Sequence, residues 1–158
     1  MIWLLACLPE DIVQDDTATI INTSVEASEP LYGEWLSTGE DLSPLFAAPP
    51  FEYLSIDASF SDEGYVVVGN TADEAYTFSG TFEIDASTSP ASIVLTQSQP
   101  SNAVARGIYL VEDEVLTYEV VQVEPDYGFA APTPEGGFGS TTGPNLGEGD
   151  NVQVYRRP

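Results

Sequence analysis

The 158-residue chain carries 26 acidic residues against three arginines, with no lysine and no histidine, so its formal net charge is -23. This charge argues against binding to phosphate backbones or anionic lipid headgroups, and the lack of histidine excludes histidine-dependent triads and histidine-ligated zinc. A hydrophobic content of 42% is enough for one folded domain, and a single cysteine rules out an internal disulfide.

The chain begins with an apolar run that ends at its only cysteine, Cys7. Leu4-Leu5-Ala6-Cys7 resembles the lipobox of bacterial lipoproteins, in which the cysteine is acylated. The resemblance implies that residues 1–6 are the remnant of a signal peptide whose start lies upstream, because a complete one needs a basic start and about 7 to 15 apolar residues. It also implies an outer-membrane location, since Leu8 and not aspartate follows the cysteine. The alternative is an inert cysteine in a short apolar segment.

Residues 7–30 are predicted to be a flexible tether, because the run after the cysteine is rich in threonine, serine and alanine with scattered acids. From Leu31 onward, apolar residues alternate with polar ones, which indicates strands. The predicted strands are Tyr32–Thr38, Phe51–Phe60, Tyr65–Gly69, Ala75–Asp85, Ala91–Thr96, Val104–Val111, Val115–Val123 and Asn151–Tyr155.

Eight strands joined by short turns favour an all-β, up-and-down antiparallel barrel over a sandwich, because closure leaves no strand edge unpaired. Gly80 within the fourth strand predicts a bend or bulge. The long loop 124–149 is rich in glycine and proline. It is expected either to be disordered or to contact a partner protein through Phe129 and Phe138.

Several motifs occur in an order that resembles small bacterial lipocalin-like domains. Gly33-Glu34-Trp35 is similar to the Gly-x-Trp signature of lipocalins. The later motifs are Gly80-Thr81-Phe82-Glu83-Ile84-Asp85, Pro90-Ala91-Ser92-Ile93-Val94-Leu95, Gly107-Ile108-Tyr109-Leu110, Val115-Leu116-Thr117-Tyr118 and the terminal Tyr155-Arg156-Arg157. The resemblance implies a lipocalin-like domain over residues 31–158. It also implies a structural role at the barrel base for Gly33 and Trp35, with Arg156 or Arg157 stacked on the indole ring.

The predicted function is that of a membrane-anchored bacterial lipoprotein whose barrel either binds a small apolar molecule or is filled by its own side chains. The candidate inner face consists of bulky residues from five predicted strands. Its ligand-contacting members are Leu54, Ile56, Phe60, Tyr76, Phe78, Phe82, Leu116 and Tyr118, and the wider set adds Ile84, Ile93, Leu95, Ile108 and Leu110. We expect a monomer without cofactor, held to the membrane by its lipid alone.

Acidic side chains offer the only alternative chemistry. Paired carboxylates could hydrolyse glycosides, and the acids in or beside strands are Asp57, Glu83, Asp85, Glu112 and Glu119. Because acidic residues are abundant throughout the chain, such pairs also arise by chance, and we expect no enzyme. Glu112-Asp113-Glu114 and Asp15-Asp16 lack the ligand spacing of a known calcium loop, so no metal site is predicted.

Overall fold

The structure, a computed structural model, describes residues 29–158. Cys7 and most of the predicted tether lie outside these residues. The described chain forms a closed barrel of eight antiparallel strands in which each strand pairs with the next and the last pairs with the first. The strands are β1 (Gly33–Thr38), β2 (Ser55–Ser61), β3 (Gly64–Asn70), β4 (Ala75–Asp85), β5 (Ala91–Gln99), β6 (Ala103–Glu112), β7 (Val115–Glu124) and β8 (Gln153–Arg156).

The predicted up-and-down barrel is therefore confirmed. Its closure is also confirmed, because Leu36 of β1 lies opposite Arg156 of β8. β4 has the predicted bounds, and the register between β4 and β5 shifts between Ser79 and Gly80. Such a shift bends the sheet and helps it to close.

The barrel has two different ends. Because β1 begins and β8 ends at the same end, the turns at 62–63, 86–90 and 113–114 lie there too, and we call this end the base. The connections at 39–54, 71–74 and 100–102 lie at the opposite end, which we call the mouth. Residues 125–152, which we call the loop cap, leave β7 at the mouth and lead to β8.

The connection between β1 and β2 forms a plug in the mouth. It contains a 3-10 helix (Gly39–Asp41) and one turn of α-helix, α1 (Pro44–Ala47), which Ser43 caps through its side chain. The prediction that β2 starts at Phe51 is wrong, because residues 51–54 belong to this plug. Tyr53 donates its backbone N–H to the carbonyl of Phe46 at 2.9 Å, so the plug is tied to itself before the strand begins.

The core fills the barrel with aromatic side chains that meet across it. Phe60 of β2 lies 5.5 Å from Phe82 of β4 and 6.2 Å from Tyr118 of β7, measured between ring centroids. Tyr118 in turn contacts Tyr155 of β8 at 6.1 Å. Ring contacts thus join β2 to β4 and β7, two strands that are not its hydrogen-bonded neighbours.

Helices contribute little to the described part of the chain. Within residues 29–158, no helix has both the length and the apolar character needed to cross a membrane.

Candidate functional site

The base of the barrel is built around Trp35, which is 1% exposed. Its indole N–H donates to the carbonyl of Leu31 at 2.7 Å. The guanidinium carbon of Arg157 lies 3.8 Å from the centre of the indole ring. The predicted stacking of an arginine on Trp35 is confirmed, and the residue is Arg157.

The assignment of Arg156 to the barrel base is wrong. Because β8 alternates, Tyr155 points inward and Arg156 points outward. Arg156 forms an ion pair with Asp41 at 2.8 Å on the surface. Arg157 follows the strand and can turn back over the base, where its guanidinium also donates to the carbonyl of Pro30 at 2.9 Å.

Gly33 makes room for this arginine. Its φ is +113°, a region that side chains other than glycine avoid, and a Cβ at this position would overlap the guanidinium of Arg157. The Gly-x-Trp pattern therefore has a physical meaning here: glycine admits the arginine and tryptophan receives it.

The segment before β1 is also attached to the base. The hydroxyl of Tyr109 donates to the carboxylate of Glu29 at 2.9 Å, and Leu31 is fully buried. Burial and the Glu29 carboxylate raise the pKa of Tyr109. Within the described residues, contact with the barrel is thus already made by Glu29, two residues before the predicted domain start.

Five of the eight predicted ligand-contacting residues belong to the core, and three do not. Ile56, Phe60 and Leu116 are buried in the core, and Phe82 and Tyr118 pack against it. Tyr76 lies at the mouth and is 42% exposed, while Phe78 is partly buried. The prediction that Leu54 points inward is wrong, because it precedes β2 and is 61% exposed.

The predicted inward face of β6 is wrong as well. Tyr109 lies opposite Tyr118, and facing residues of an antiparallel pair point to the same side. Tyr109 therefore points inward, and Ile108 and Leu110 point outward. Small side chains occupy other inward positions of β6, at Ala105 and Gly107.

Polar side chains join the mouth plug to β8. Gln153 is 1% exposed, and its side-chain oxygen accepts the backbone N–H of Ser43 at 2.9 Å. Its side-chain nitrogen donates to the hydroxyl of Ser37. The backbone N–H of Leu45 donates to the carbonyl of Asp150 at 2.9 Å. These bonds hold the plug against the strand that closes the barrel.

A buried carboxyl group fixes the loop cap on the outside of the barrel. Glu119 of β7 is fully buried although it points outward. It accepts the backbone N–H of Gly139 at 2.6 Å, the backbone N–H of Thr141 at 3.0 Å and the hydroxyl of Thr141 at 2.5 Å. Thr141 in turn accepts the side-chain amide of Asn151 at 3.1 Å.

Ile108 lies opposite Glu119 and is fully buried although it points outward. We attribute its burial to the loop cap, which lies over this part of the barrel. The expectation of disorder in the loop does not hold around Gly139 to Thr141. Phe129 and Phe138 are each partly buried.

The other candidate carboxylates are spread over three strands. Asp57 on β2, Glu83 and Asp85 on β4 and Glu112 on β6 are all exposed, whereas Glu119 on β7 lies beneath the loop cap. Within residues 29–158, acidic and cysteine side chains form no group of three that could hold a metal ion.

Two surface grooves accompany these features. One, of about 330 Å³, lies where β5, β6 and β7 reach the mouth, and it is lined by Thr96, Gln97, Asn102, Ala103, Val104, Glu124 and Pro125. The other, of about 280 Å³, lies within the loop cap between Gly139 and Glu148. Neither groove is lined by the predicted ligand-contacting residues.

Sequence reasoning missed the polar side chains that hold the connections. Gln153, Thr141 and Asn151 are all at most 4% exposed, yet they belong to classes that are mostly found on the surface. One signal was present: apolar residues occupy both faces of β6, which indicates that something covers its outer face.

No protein-family model, curated protein or solved structure matches the chain.

Proposed function

We propose that the protein is a lipid-anchored bacterial envelope protein of the lipocalin-like type whose filled barrel works through its surface. The filled interior carries this proposal. Phe60, Phe82, Tyr118 and Tyr155 occupy the space in which a hollow barrel would hold its ligand. The plug adds Tyr53 at the mouth, where it is 8% exposed.

The lipid anchor is supported by the lipobox-like Leu4-Leu5-Ala6-Cys7 and by where the chain meets the barrel. Glu29 and Pro30 lie against the base, so the chain that leads to Cys7 departs from the end opposite the mouth. An acyl chain contributes about 0.8 kcal/mol per buried CH₂, so a multiply acylated cysteine anchors a domain without a spanning helix.

The anchor is tested by metabolic labelling. The native gene, expressed with its upstream sequence in cells supplied with radiolabelled palmitate, should give a labelled protein in the membrane fraction. The Cys7→Ser variant should be unlabelled and should leave that fraction. Equal labelling of the two forms would contradict the anchor.

Binding of a small apolar molecule at the mouth is a second candidate, favoured by one observation. The inward-facing Phe78 and Tyr76 stay partly exposed there. A titration of the unlipidated Cys7→Ser chain with a fluorescent fatty acid separates the candidates. A filled barrel predicts no saturable binding, whereas saturable binding that Phe78→Ala weakens would favour the ligand.

A further inference from the structure

Three large apolar side chains are exposed on residues at the rim of the mouth. Phe51 is 36% exposed, Leu54 is 61% exposed and Tyr76 is 42% exposed. The ring of Tyr53 lies between the two aromatic residues, at 5.8 Å from Phe51 and 6.2 Å from Tyr76. We call Phe51, Leu54 and Tyr76 the mouth patch. Grouped exposed aromatic residues often mark interaction sites.

The mouth patch rests on a fixed support. Phe46 contacts Phe51 at 5.3 Å and Tyr53 at 6.0 Å. Tyr53 lies over Gly69, where a Cβ would overlap its ring. Leu54 donates its backbone N–H to the carbonyl of Asn70 at 2.7 Å. Because these contacts order the patch in advance, a partner would lose less conformational entropy on binding.

Acidic side chains border the mouth patch. Glu52 lies between Phe51 and Tyr53 in the sequence, and Asp73 and Glu74 form the turn that precedes Tyr76. All three acids are exposed. Asp73 and Glu74 precede Tyr76 by three and two residues, so their carboxylates lie close to this aromatic surface. Glu74 also raises the pKa of the Tyr76 phenol.

Within residues 29–158, no arginine forms an ion pair with Glu52, Asp73 or Glu74. Arg156 is paired with Asp41, Arg157 lies on Trp35, and Arg106 belongs to β6. The carboxylates of Glu52, Asp73 and Glu74 can therefore form ion pairs with a partner. Anionic lipids and nucleic acids are repelled by them, and a second copy of the chain would bring the same charges against them.

We infer that the mouth patch binds a cationic amphipathic segment of a partner protein. Apolar side chains of that segment cover Phe51 and Leu54, and its lysines or arginines pair with Glu52 and Glu74. An arginine that stacks on Tyr76 gains a cation–π contact at the same time. This inference deepens the surface role in the proposed function and rests on it.

The test uses the unlipidated Cys7→Ser chain and a short fluorescent peptide in which lysine alternates with leucine. Binding is followed by fluorescence anisotropy at low and at physiological salt. We expect Phe51→Ser/Leu54→Ser to weaken binding by about tenfold or more, as for central interface residues. Glu52→Gln/Glu74→Gln should weaken it at low salt, and the difference should shrink as salt screens exposed charges.

Matched controls separate a site from general attraction to an acidic protein. Glu112→Gln/Glu114→Gln removes the same charge at the base, and Tyr127→Ser removes a side chain that is 62% exposed in the loop cap. Both should leave the affinity within about twofold of the starting chain, as expected away from an interface centre. Circular dichroism of each variant verifies the fold.

Several outcomes would overturn the inference. These are the absence of binding, equal weakening by the control variants, or equal binding of a peptide in which serine replaces leucine. Binding to anionic vesicles that depends on Phe51 and Leu54 would assign the mouth patch to a membrane. A dimer that dissociates when these residues are substituted would assign it to a second copy of the chain. The palmitate labelling is unaffected by these results, so failure here is distinct from failure of the lipid anchor.

Discussion

At the scale of single residues, the base of the barrel depends on how Arg157 is placed. Its guanidinium covers the ring of Trp35 and donates to the carbonyl of Pro30, while Gly33 leaves the space it needs. Its neighbour Arg156 has a side chain that is 60% exposed. The two adjacent arginines thus have different environments. Arg156 is the last residue of β8 and points outward, whereas Arg157 lies beyond the strand and can turn toward Trp35.

The first prediction concerns Trp35. Trp35→Ala should lower the free energy of unfolding by about 3 to 5 kcal/mol, since it empties a buried aromatic site. The measurement is urea denaturation followed by circular dichroism. Leu54→Ala is the control, because Leu54 is 61% exposed and should change the midpoint little. Overlapping curves for Trp35→Ala and the starting chain would mean that Trp35 is not buried.

The second prediction follows from buried tyrosines. Burial raises the pKa of Tyr118 well above the usual 10.0 and raises that of Tyr155. Below pH 10 these phenols are protonated in both states, so their contribution to stability is complete. As the pH rises above 10, the unfolded chain loses these protons while the folded chain keeps them, and stability falls.

Urea midpoints measured between pH 7 and pH 11.5 test this prediction. The midpoint should be steady up to about pH 9 and should then decline, as the usual tyrosine pKa of about 10 requires. Tyr155→Phe should decline less steeply, since one titrating group is gone. Tyr127→Phe is the matched control because Tyr127 is 62% exposed. Parallel declines in all three chains would contradict the assignment.

At the scale of elements, the loop cap differs from an ordinary surface loop because β7 supplies it with a buried anchor. Three donors of the loop meet the carboxyl group of Glu119, and two of them are backbone N–H groups. The loop also pairs with itself through Ala130 and Thr142. These bonds compensate a loop composition that would otherwise favour disorder.

The third prediction concerns this anchor. Glu119→Gln replaces one acceptor oxygen by an NH₂ group that would face a backbone donor, so the domain should lose about 1 to 3 kcal/mol of stability. Limited proteolysis should also cut the loop cap faster. Glu112→Gln, an exposed change of the same kind, is the control. Equal stability and equal cutting in the two variants would show that Glu119 does not hold the loop.

The strands follow from local pattern, whereas the connections do not. All eight strands were predictable, and β4 to its ends, because alternation and turn residues act over a few positions. The plug was not predictable from local pattern, because the hydrogen bond that holds it joins Ser43 to Gln153, which is 110 residues away in the chain. The inward face of β6 was misassigned because Ile108 and Tyr109 are both buried, so alternation there gave no direction.

The candidate site was predictable only in part for the same reason. Gly33 and Trp35 form a local motif, and the structure places both against Arg157 at the base. The choice between Arg156 and Arg157 depended on where β8 ends, which no local pattern decided. Phe51 and Tyr76 approach each other through Tyr53 only because the plug folds over the mouth, and Leu54 follows Tyr53 in the chain.

At the scale of the whole molecule, the proposed lipid anchor and the proposed partner site belong to opposite ends of the barrel. The chain that leads to Cys7 joins at the base through Glu29 and Pro30, and the mouth patch lies at the far end. The 11 residues of β4 extend about 36 Å at about 3.3 Å per residue. In the proposed arrangement, the chain from a lipidated Cys7 reaches the barrel at its base, and the mouth patch lies at the end away from this attachment.

The last prediction concerns the charge of the whole molecule. The chain carries a net charge of -23, and two of its three arginines are already engaged, so repulsion between carboxylates disfavours the compact state. Sodium chloride shortens the screening length from about 30 Å at 0.01 M to about 3 Å at 1 M. The urea midpoint at pH 7 should therefore rise with salt over this range.

A charge-reduced variant provides the matched comparison. Glu112→Gln/Glu114→Gln removes two carboxylates from the base hairpin, where both side chains are exposed. It should be more stable than the starting chain at low salt, because fewer like charges repel one another, and it should gain less from added salt. The two midpoints should converge near 1 M salt. A midpoint that is flat or falls with salt in the starting chain would mean that its carboxylates do not repel one another enough to affect folding. The acidity would then contribute to contacts with partners or solvent and not to the stability of the barrel.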